Sequence, residues 1–281
     1  MAAFSIRQAR TEDVQHIAPW TTDTFSWGDY VPDRLPNWLT DDLSTVLVAT
    51  IEDRPVALVH GAMLSPSEGW LEAARVHPDH RRAGLGNALN TAGVEWAARR
   101  GARVVRLATE ASNQPAITQV LALGYRQTSS WVYAELVPTE SSDDQNERRL
   151  FAGIGPDVDA AWVFWSSSEL NHASRGLIAY GWQWRGATPT DLVSGAVAGH
   201  FFQSPDGWLL ADEPKPDLLR VLWMATAAED APRFLQAIMD LARSRNSVSV
   251  ALKTANVPWM TETIKRIGGE PKEILIFSKS V

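Results

Sequence analysis

Short apolar runs of strand length alternate with stretches of helical spacing along this chain, and the alternation occurs twice. In the first half, Phe4–Ala9 alternates apolar and polar positions as a strand does. Thr11 is the expected cap of a first helix. From Asp23 to Asp42 the sequence is turn-rich, with short helical pieces around Pro36–Leu39. Thr45–Ile51, Val56–Leu64 and Trp70–Val76 read as successive strands. Leu85, Leu89, Ala92, Val94 and Trp96 mark the apolar side of a helix over Gly84–Ala98. Val104–Ala108 is a strand, Pro115–Leu123 a helix stopped by Gly124, and Trp131–Leu136 a last strand.

The second half repeats this order with weaker patterning. Leu150–Gly153 reads as a strand, Asp157–Leu170 and Pro189–Val197 as helices. His200–Phe202 and Gly207–Ala211 form a hairpin around the turn residues Ser204–Gly207. Leu219–Met224, Ala231–Arg243, Val248–Leu252, Trp259–Ile267 and Ile274–Phe277 then alternate strand, helix, strand, helix, strand. Between the halves, Pro138–Glu147 is polar and unpatterned. The expected organisation is therefore one domain over 1–138, a linker over 139–149 and a diverged second copy over 150–281.

Composition narrows the chemistry. The 281 residues include no cysteine, which excludes disulfides, thiolate nucleophiles and zinc–thiolate sites. No metal is expected. A formal charge of −7 argues against nucleic acid as a partner and weakly suits a cationic one. The N-terminus lacks the basic and apolar regions of a signal peptide, and no apolar run approaches the roughly 18 residues of a membrane span. A cytoplasmic protein without a membrane partner, monomeric or homodimeric, is expected.

The chemistry concentrates at the end of the Trp70–Val76 strand. There Arg81-Arg82-Ala83-Gly84-Leu85-Gly86-Asn87 opens a helix. The first amides of a helix have no internal partner, and the helix dipole adds positive potential to them. Gly84 and Gly86 allow backbone to approach a phosphate closely, and Arg81 and Arg82 add charge. The loop is neither a Rossmann fingerprint nor a Walker loop, since Gly-x-Gly-x-x-Gly and Gly-Lys-Ser/Thr are both missing.

Val76-His77-Pro78 followed by Arg81-x-x-Gly84-x-Gly86 resembles the signature of the GCN5-related N-acetyltransferase superfamily. Asn113, followed by a short helix ending at Leu123-Gly124-Tyr125, is similar to a second element of that family. The resemblance covers about residues 4–138. It implies an α/β (α+β) fold of two such domains, each with a mixed, mostly antiparallel sheet flanked by helices. It further implies acetyl-CoA as co-substrate, wedged between splayed strands ending at Leu64 and Val76. Pantetheine is expected on the backbone near Ala74 and Val76, pyrophosphate on the amides of Arg82 through Asn87, and Asn113 near the pantetheine or the leaving thiol.

The family's usual acid and bases do not carry over. Val120, Ala108 and Trp70 stand where members carry a tyrosine and two glutamates. Glu72 is the expected base in their place, on the same nominal strand face as Val76 unless a bulge intervenes. The competing reading pairs Glu72 with Arg75 or Arg106, and His60 is the second candidate base. Trp27, Asp29 and Tyr30 are expected to line an acceptor pocket, against a plainer reading as loop anchors and helix caps. In the second copy Glu229 and Asp230 replace the glycines and repel a pyrophosphate, so one cofactor site per chain is expected. Trp162, Trp165, Trp182 and Trp184 read as core packing. The resulting expectation is an enzyme acetylating a primary amine of a small molecule. A protein or peptide N-acetyltransferase, and an acyl-CoA sensor without efficient turnover, are the alternatives.

Overall fold

The computed structural model describes residues 3–22, 24–25, 28–138 and 149–281. The expected acceptor residue Trp27 and residues 139–148 of the expected linker lie outside these. The chain divides into two compact units. The first comprises Met1–Ala108, Gln114–Arg126 and Phe277–Val281, the second Thr109–Asn113 and Gln127–Ile276. Sequence order divides the chain at 138 and 150, whereas these units group Gln127–Leu136 with the second and the last five residues with the first. Strands join sheets by edge hydrogen bonding, which follows register and need not follow chain order.

In chain order the first unit contains β1 (Ser5–Gln8), α1 (Val14–Thr21), α2 (Val31–Trp38), β2 (Ser44–Ile51), β3 (Arg54–Ser65), β4 (Glu68–Val76), α3 (Leu85–Arg99), β5 (Val104–Glu110, to Ala108 in this unit) and α4 (Gln114–Ala122). Its strands lie in the order β1-β2-β3-β4-β5. All neighbours are antiparallel except β4 and β5, which the α3 crossover makes parallel. Ile17, Val31 and Leu35 of α1 and α2 are buried against Val46, Val48 and Leu58 of the sheet.

The register corrects two sequence expectations. The strands ending at Leu64 and Val76, β3 and β4, do not splay, because they pair from Ala57↔Val76 to Ser65↔Glu68. The ladder that stops is β4/β5, which pairs only Glu68–Trp70 with Val104–Arg106. Parallel strands joined by a crossover helix carry no tight turn holding their far ends together, so this is the pair free to diverge. A bulge in β4 is the second correction. Leu58 faces Arg75 while His60 faces Glu72, so β4 holds one residue more than β3 there, and Ala73 takes a left-handed φ of 56°. Glu72 is paired with His60 and Val76 with Ala57. Positions 57 and 60 are three apart and point to opposite faces, so Glu72 and Val76 do too.

The second unit contains β6 (Arg126–Leu136, from Gln127), β7 (Phe151–Ala152), α5 (Gly155–Ser166), α6 (Glu169–Ser174), β8 (Leu177–Tyr180), β9 (Gln183–Gly186) and α7 (Pro189–Val197). Then follow β10 (Phe201–Ser204), β11 (Gly207–Lys215), β12 (Leu218–Ala225), α8 (Ala231–Ser244), β13 (Ser249–Ala255), α9 (Pro258–Arg266) and β14 (Lys272–Ser280, to Ile276 in this unit). The strand order is β14-β6-β13-β12-β11-β10-β7, with β8–β9 a separate hairpin. The single helix expected over Asp157–Leu170 is two, because the Ser168 hydroxyl accepts the Asn171 amide at 3.1 Å and starts α6. The β8–β9 hairpin was not expected from the sequence.

Duplication is visible in the ladders. β12 and β13 are parallel over Leu218–Arg220 and Ser249–Ala251, a three-residue ladder as in β4/β5. A register shift also follows in β12, between the partners of Leu210 and Ala211. Counted from the ladder end, Leu222 occupies the place of Glu72, and Lys253 that of Ala108. Among the described residues no helix is long and apolar enough to cross a membrane.

Candidate active site

One 3₁₀ turn, Pro78–His80, follows β4, with the His77 ring accepting the Asp79 amide at 3.2 Å. Arg82 (φ 62°) and Gly84 (φ 77°) then take left-handed conformations and turn the chain into α3. The amides of Arg82 through Asn87 consequently find no acceptor among the described residues. The first bond of the helix runs from the Ala88 amide to the Gly84 carbonyl at 3.1 Å. A run of unpaired amides at the positive end of a 15-residue helix is a place for an anion. A Cβ at Gly84 would meet nothing within 4 Å, so the space before these amides is open and it is the backbone angle that favours glycine. At Gly86 a Cβ would lie 3.0 Å from the Gln119 amide nitrogen, which donates to the Asn87 side chain at 2.8 Å. Arg81 and Arg82 are exposed beside the loop, and so is Ala74 at the β4 bulge. Asn113 falls in the second unit, where its amide donates to the Glu110 carbonyl at 3.0 Å.

The other face of the sheet, under α1 and α2, brings together both candidate bases. His60 Nδ1 lies 3.0 Å from Glu72 Oε1, across the β3/β4 register pair that the bulge creates. His60 is 2% exposed and the Glu72 side chain 15%, so the carboxylate is the member that solvent reaches. His60 Nε2 is buried without a partner, which suits a proton on Nδ1 donated to Glu72. Trp38 stacks on the His60 ring, with centroids 4.2 Å apart and planes 11° from parallel. Tyr30 packs edge-on to Trp38 at 6.1 Å. Burial and then the charge of Glu72 push the Tyr30 phenol up to about 12, so it stays protonated at neutral pH.

Neither arginine weighed as a partner for Glu72 is spare. Arg106 binds Glu68 at 2.5 Å, and Arg75 binds Asp29 through two bonds of 2.7 and 3.1 Å. Asp29 also accepts the Val31 amide at 3.1 Å, and its side chain is 0% exposed. It therefore caps α2 and holds Arg75, and the arginine faces the rings of Phe25 and Tyr30 at 4.8 and 5.4 Å. Burial raises the Asp29 pKa, but the bonds from Arg75, Thr24 and the Val31 amide outweigh it and hold it below the usual carboxylate range. A depressed carboxylate contributes stability that is present above the unfolded pKa and lost as pH falls through the folded one. Asp29→Asn is expected to cost about 3 kcal/mol in urea unfolding at pH 7, because it leaves Arg75 unpaired. That deficit should begin to shrink below about pH 3.9, where the unfolded carboxylate protonates, and close only as pH falls through the lower folded pKa.

Of the expected site residues, then, the structure groups Glu72, His60 and Tyr30 on one face. Phe25 belongs to the segment Phe25–Asp33 expected to line the acceptor pocket and Arg75 is a partner considered for Glu72, whereas Trp38 is not assigned to this site from sequence. Trp38 continues the Val31, Leu35 spacing of α2, a signal that marks a buried helix face without distinguishing a core from a pocket. Val120 and Tyr125 are buried, and His77 packs edge-on to Trp20 at 5.7 Å. Among the described residues no group of three or more His, Asp or Glu side chains is arranged to hold a metal.

The matching position of the second unit is filled by its own side chains. The amides of Asp230 and Ala231 donate to the Ala227 carbonyl, and Pro232 has no amide to offer. Arg233 binds Asp230 and, at 3.0 Å, Asp206. The expected Trp cluster is two groups: Trp162, Trp165 and Trp223 in one, Trp131, Trp182 and Trp184 in the other.

Residues 13–125 match the acetyltransferase (GNAT) family. No curated protein matches the sequence. Solved structures similar to it include a GCN5-related N-acetyltransferase from Sphaerobacter thermophilus. It is 15% identical, with 99% of this chain and 95% of that one covered and a TM-score of 0.68. A tandem GNAT protein from the clavulanic acid biosynthesis pathway is 14% identical over 99% and 98%, at 0.57. A GCN5-related N-acetyltransferase from Kribbella flavida is 14% identical over 98% and 70%, at 0.54. At these identities the likeness is one of fold, and it spans both halves of the chain.

Proposed function

Residues 13–125 match the acetyltransferase (GNAT) family, and on that premise we propose that the chain moves an acetyl group from acetyl-CoA to a primary amine of a small molecule. The observation that carries this reading is the run of unpaired amides from Arg82 to Asn87 at the start of α3. These amides, with Arg81 and Arg82, would hold the pyrophosphate, while the open edge of β4 at Ala74 and Val76 would pair with pantetheine. Asn113 is the further proposed contact. Acetyl-CoA, when bound, supplies the activated acyl group.

The chain's own groups account for the rest. The acceptor amine must arrive neutral at the carbonyl carbon, where its lone pair forms the C–N bond as the C–S bond breaks. Glu72 takes the amine proton, and His60 fixes the carboxylate from behind. Tyr30 and Trp38 wall the acceptor side, with Arg75 held in place by Asp29. This revises the role proposed for Asp29 from binding the acceptor to positioning Arg75. Thiol release on mixing intact protein with acetyl-CoA and a panel of amines tests the reading. No amine-dependent release would sink it.

A second reading has one observation in its favour. Val120, where relatives carry a tyrosine acid, is buried and cannot protonate a leaving thiolate. An acyl-CoA-binding sensor would bind acetyl-CoA in calorimetry yet release no thiol. Under either reading the intact chain is expected to bind one acetyl-CoA. Two sites would show that the α8 end of the second unit is also a phosphate site.

A further inference from the structure

The five lysines of this chain are Lys215, Lys253, Lys265, Lys272 and Lys279. Lys215, Lys265 and Lys272 are exposed, and Lys279 donates to the Leu123 carbonyl at 2.8 Å. Lys253, on β13, is only 5% exposed. Among the described residues its ammonium has no ion-pair or hydrogen-bond partner; it lies instead 4.9 Å from the centre of the Tyr133 ring and 4.7 Å from that of Trp182. Two such cation–π contacts are modestly stabilising. Desolvating an unpaired ammonium costs more than such contacts return. The rings therefore offset only part of that cost, and a negatively charged group beside the ammonium would complement it.

The box is built wholly within the second unit. Lys253 and Tyr133 are register partners on β13 and β6. Trp182 stands at the tip of the β8–β9 hairpin, where Gly181 takes a φ of 61°, and it is 46% exposed, so the box opens to solvent beside it. Trp184 and Trp131 extend the aromatic wall at 6.1 and 5.9 Å. The surrounding charges are mostly accounted for. Arg220 of β12 is held by Asp212, Arg185 of β9 by Asp191, and Tyr180 donates to Asp191 at 3.2 Å. Glu135 of β6 is exposed and close to Tyr133. Lys253 sits two residues beyond the end of the parallel β12/β13 ladder.

We propose that Lys253, Tyr133 and Trp182 form a separate subsite for a small monocarboxylic acid with a flat apolar body. The carboxylate pairs with the Lys253 ammonium, and the body lies against the two rings. A single buried cation among apolar walls suits a monoanion. A phosphate would need further donors. Burial, and then the charge of Arg220, lower the Lys253 pKa to about 8. The ligand binds the charged form, so affinity is full below that pH and falls as pH rises through it.

Benzoate is the probe, titrated into the intact protein at fixed ionic strength and followed by the ¹⁵N indole resonances of the tryptophans. A saturable shift of the Trp182 signal is expected, with affinity falling about tenfold between pH 7 and pH 9. Lys253→Met should abolish the shift while melting no lower than wild type, since it removes an unpaired buried charge. Lys253→Arg, if Met at this site does not fold, should keep binding and lose the pH dependence. Binding of benzoate by Lys253→Met, equal binding of neutral benzyl alcohol, or no saturable shift would each overturn the proposal.

Discussion

Glu72→Gln is expected to lower the turnover of amine acetylation by about 10²–10⁴ while leaving acetyl-CoA affinity within about twofold. The glutamine keeps the shape of the side chain and can still meet His60 Nδ1, but it cannot accept a proton from the amine. The rise of rate with pH should move with it, because the remaining route is proton loss to water. His60→Phe is the companion variant. It retains a flat ring for Trp38 to stack on and removes the 3.0 Å bond to Glu72, so a smaller loss, of about tenfold, is expected. If Glu72→Gln costs only a few-fold and leaves the pH–rate profile unchanged, Glu72 is a positioning residue.

Gly86→Val is expected to weaken acetyl-CoA binding by at least about 10²-fold, the loss of one or two charge-assisted bonds. On the proposed reading the valine branch would crowd the phosphate off the amides. Its Cβ presses on the Gln119 side-chain amide, which can move, and meets Val76 at an ordinary 3.9 Å, so the fold should survive with a melting temperature near that of wild type. Gly84 is the less clean test. Its φ of 77° strains any L residue by about 1–2 kcal/mol, so Gly84→Val would lose stability as well as binding. Calorimetric titration of both variants beside their thermal melts separates the two effects. Wild-type affinity in Gly86→Val would mean that the phosphate lies elsewhere.

The proposed phosphate loop was legible because its chemistry is local. A strand, two glycines at fixed spacing and a helix start create unpaired amides wherever they occur, and Arg82 to Asn87 carry them in the folded chain. Helix and strand periods were legible for the same reason, down to the bounds of α7 at Pro189–Val197. The duplication could be read from the repeated order of elements, and the lack of a matching run of free amides in the second copy from Glu229, Asp230 and Pro232.

What the sequence could not give was register. A single extra residue at Ala73 turns Glu72 away from the face of Val76 and onto His60, and nothing in the run Glu72-Ala73-Ala74-Arg75 announces a bulge there. Sequence arguments treated Glu72 and His60 as rivals, whereas the ladder makes them one hydrogen-bonded pair. The opening between strands was placed at β3/β4 and belongs to β4/β5, since the choice depends on which ladder ends first. Asp29 and Arg75 are 46 residues apart, and their pairing needed α2 to be docked on the sheet before it could be seen. Lys253 is the same lesson in the second unit. In sequence it is a polar residue after a strand, and only the pairing of β13 with β6 and the folding of the β8–β9 hairpin enclose its ammonium between Tyr133 and Trp182. Period and turn chemistry act between neighbours in the chain, so sequence fixes them early. Partner choice across a sheet is set by long-range hydrogen bonding and burial, which only the folded chain decides.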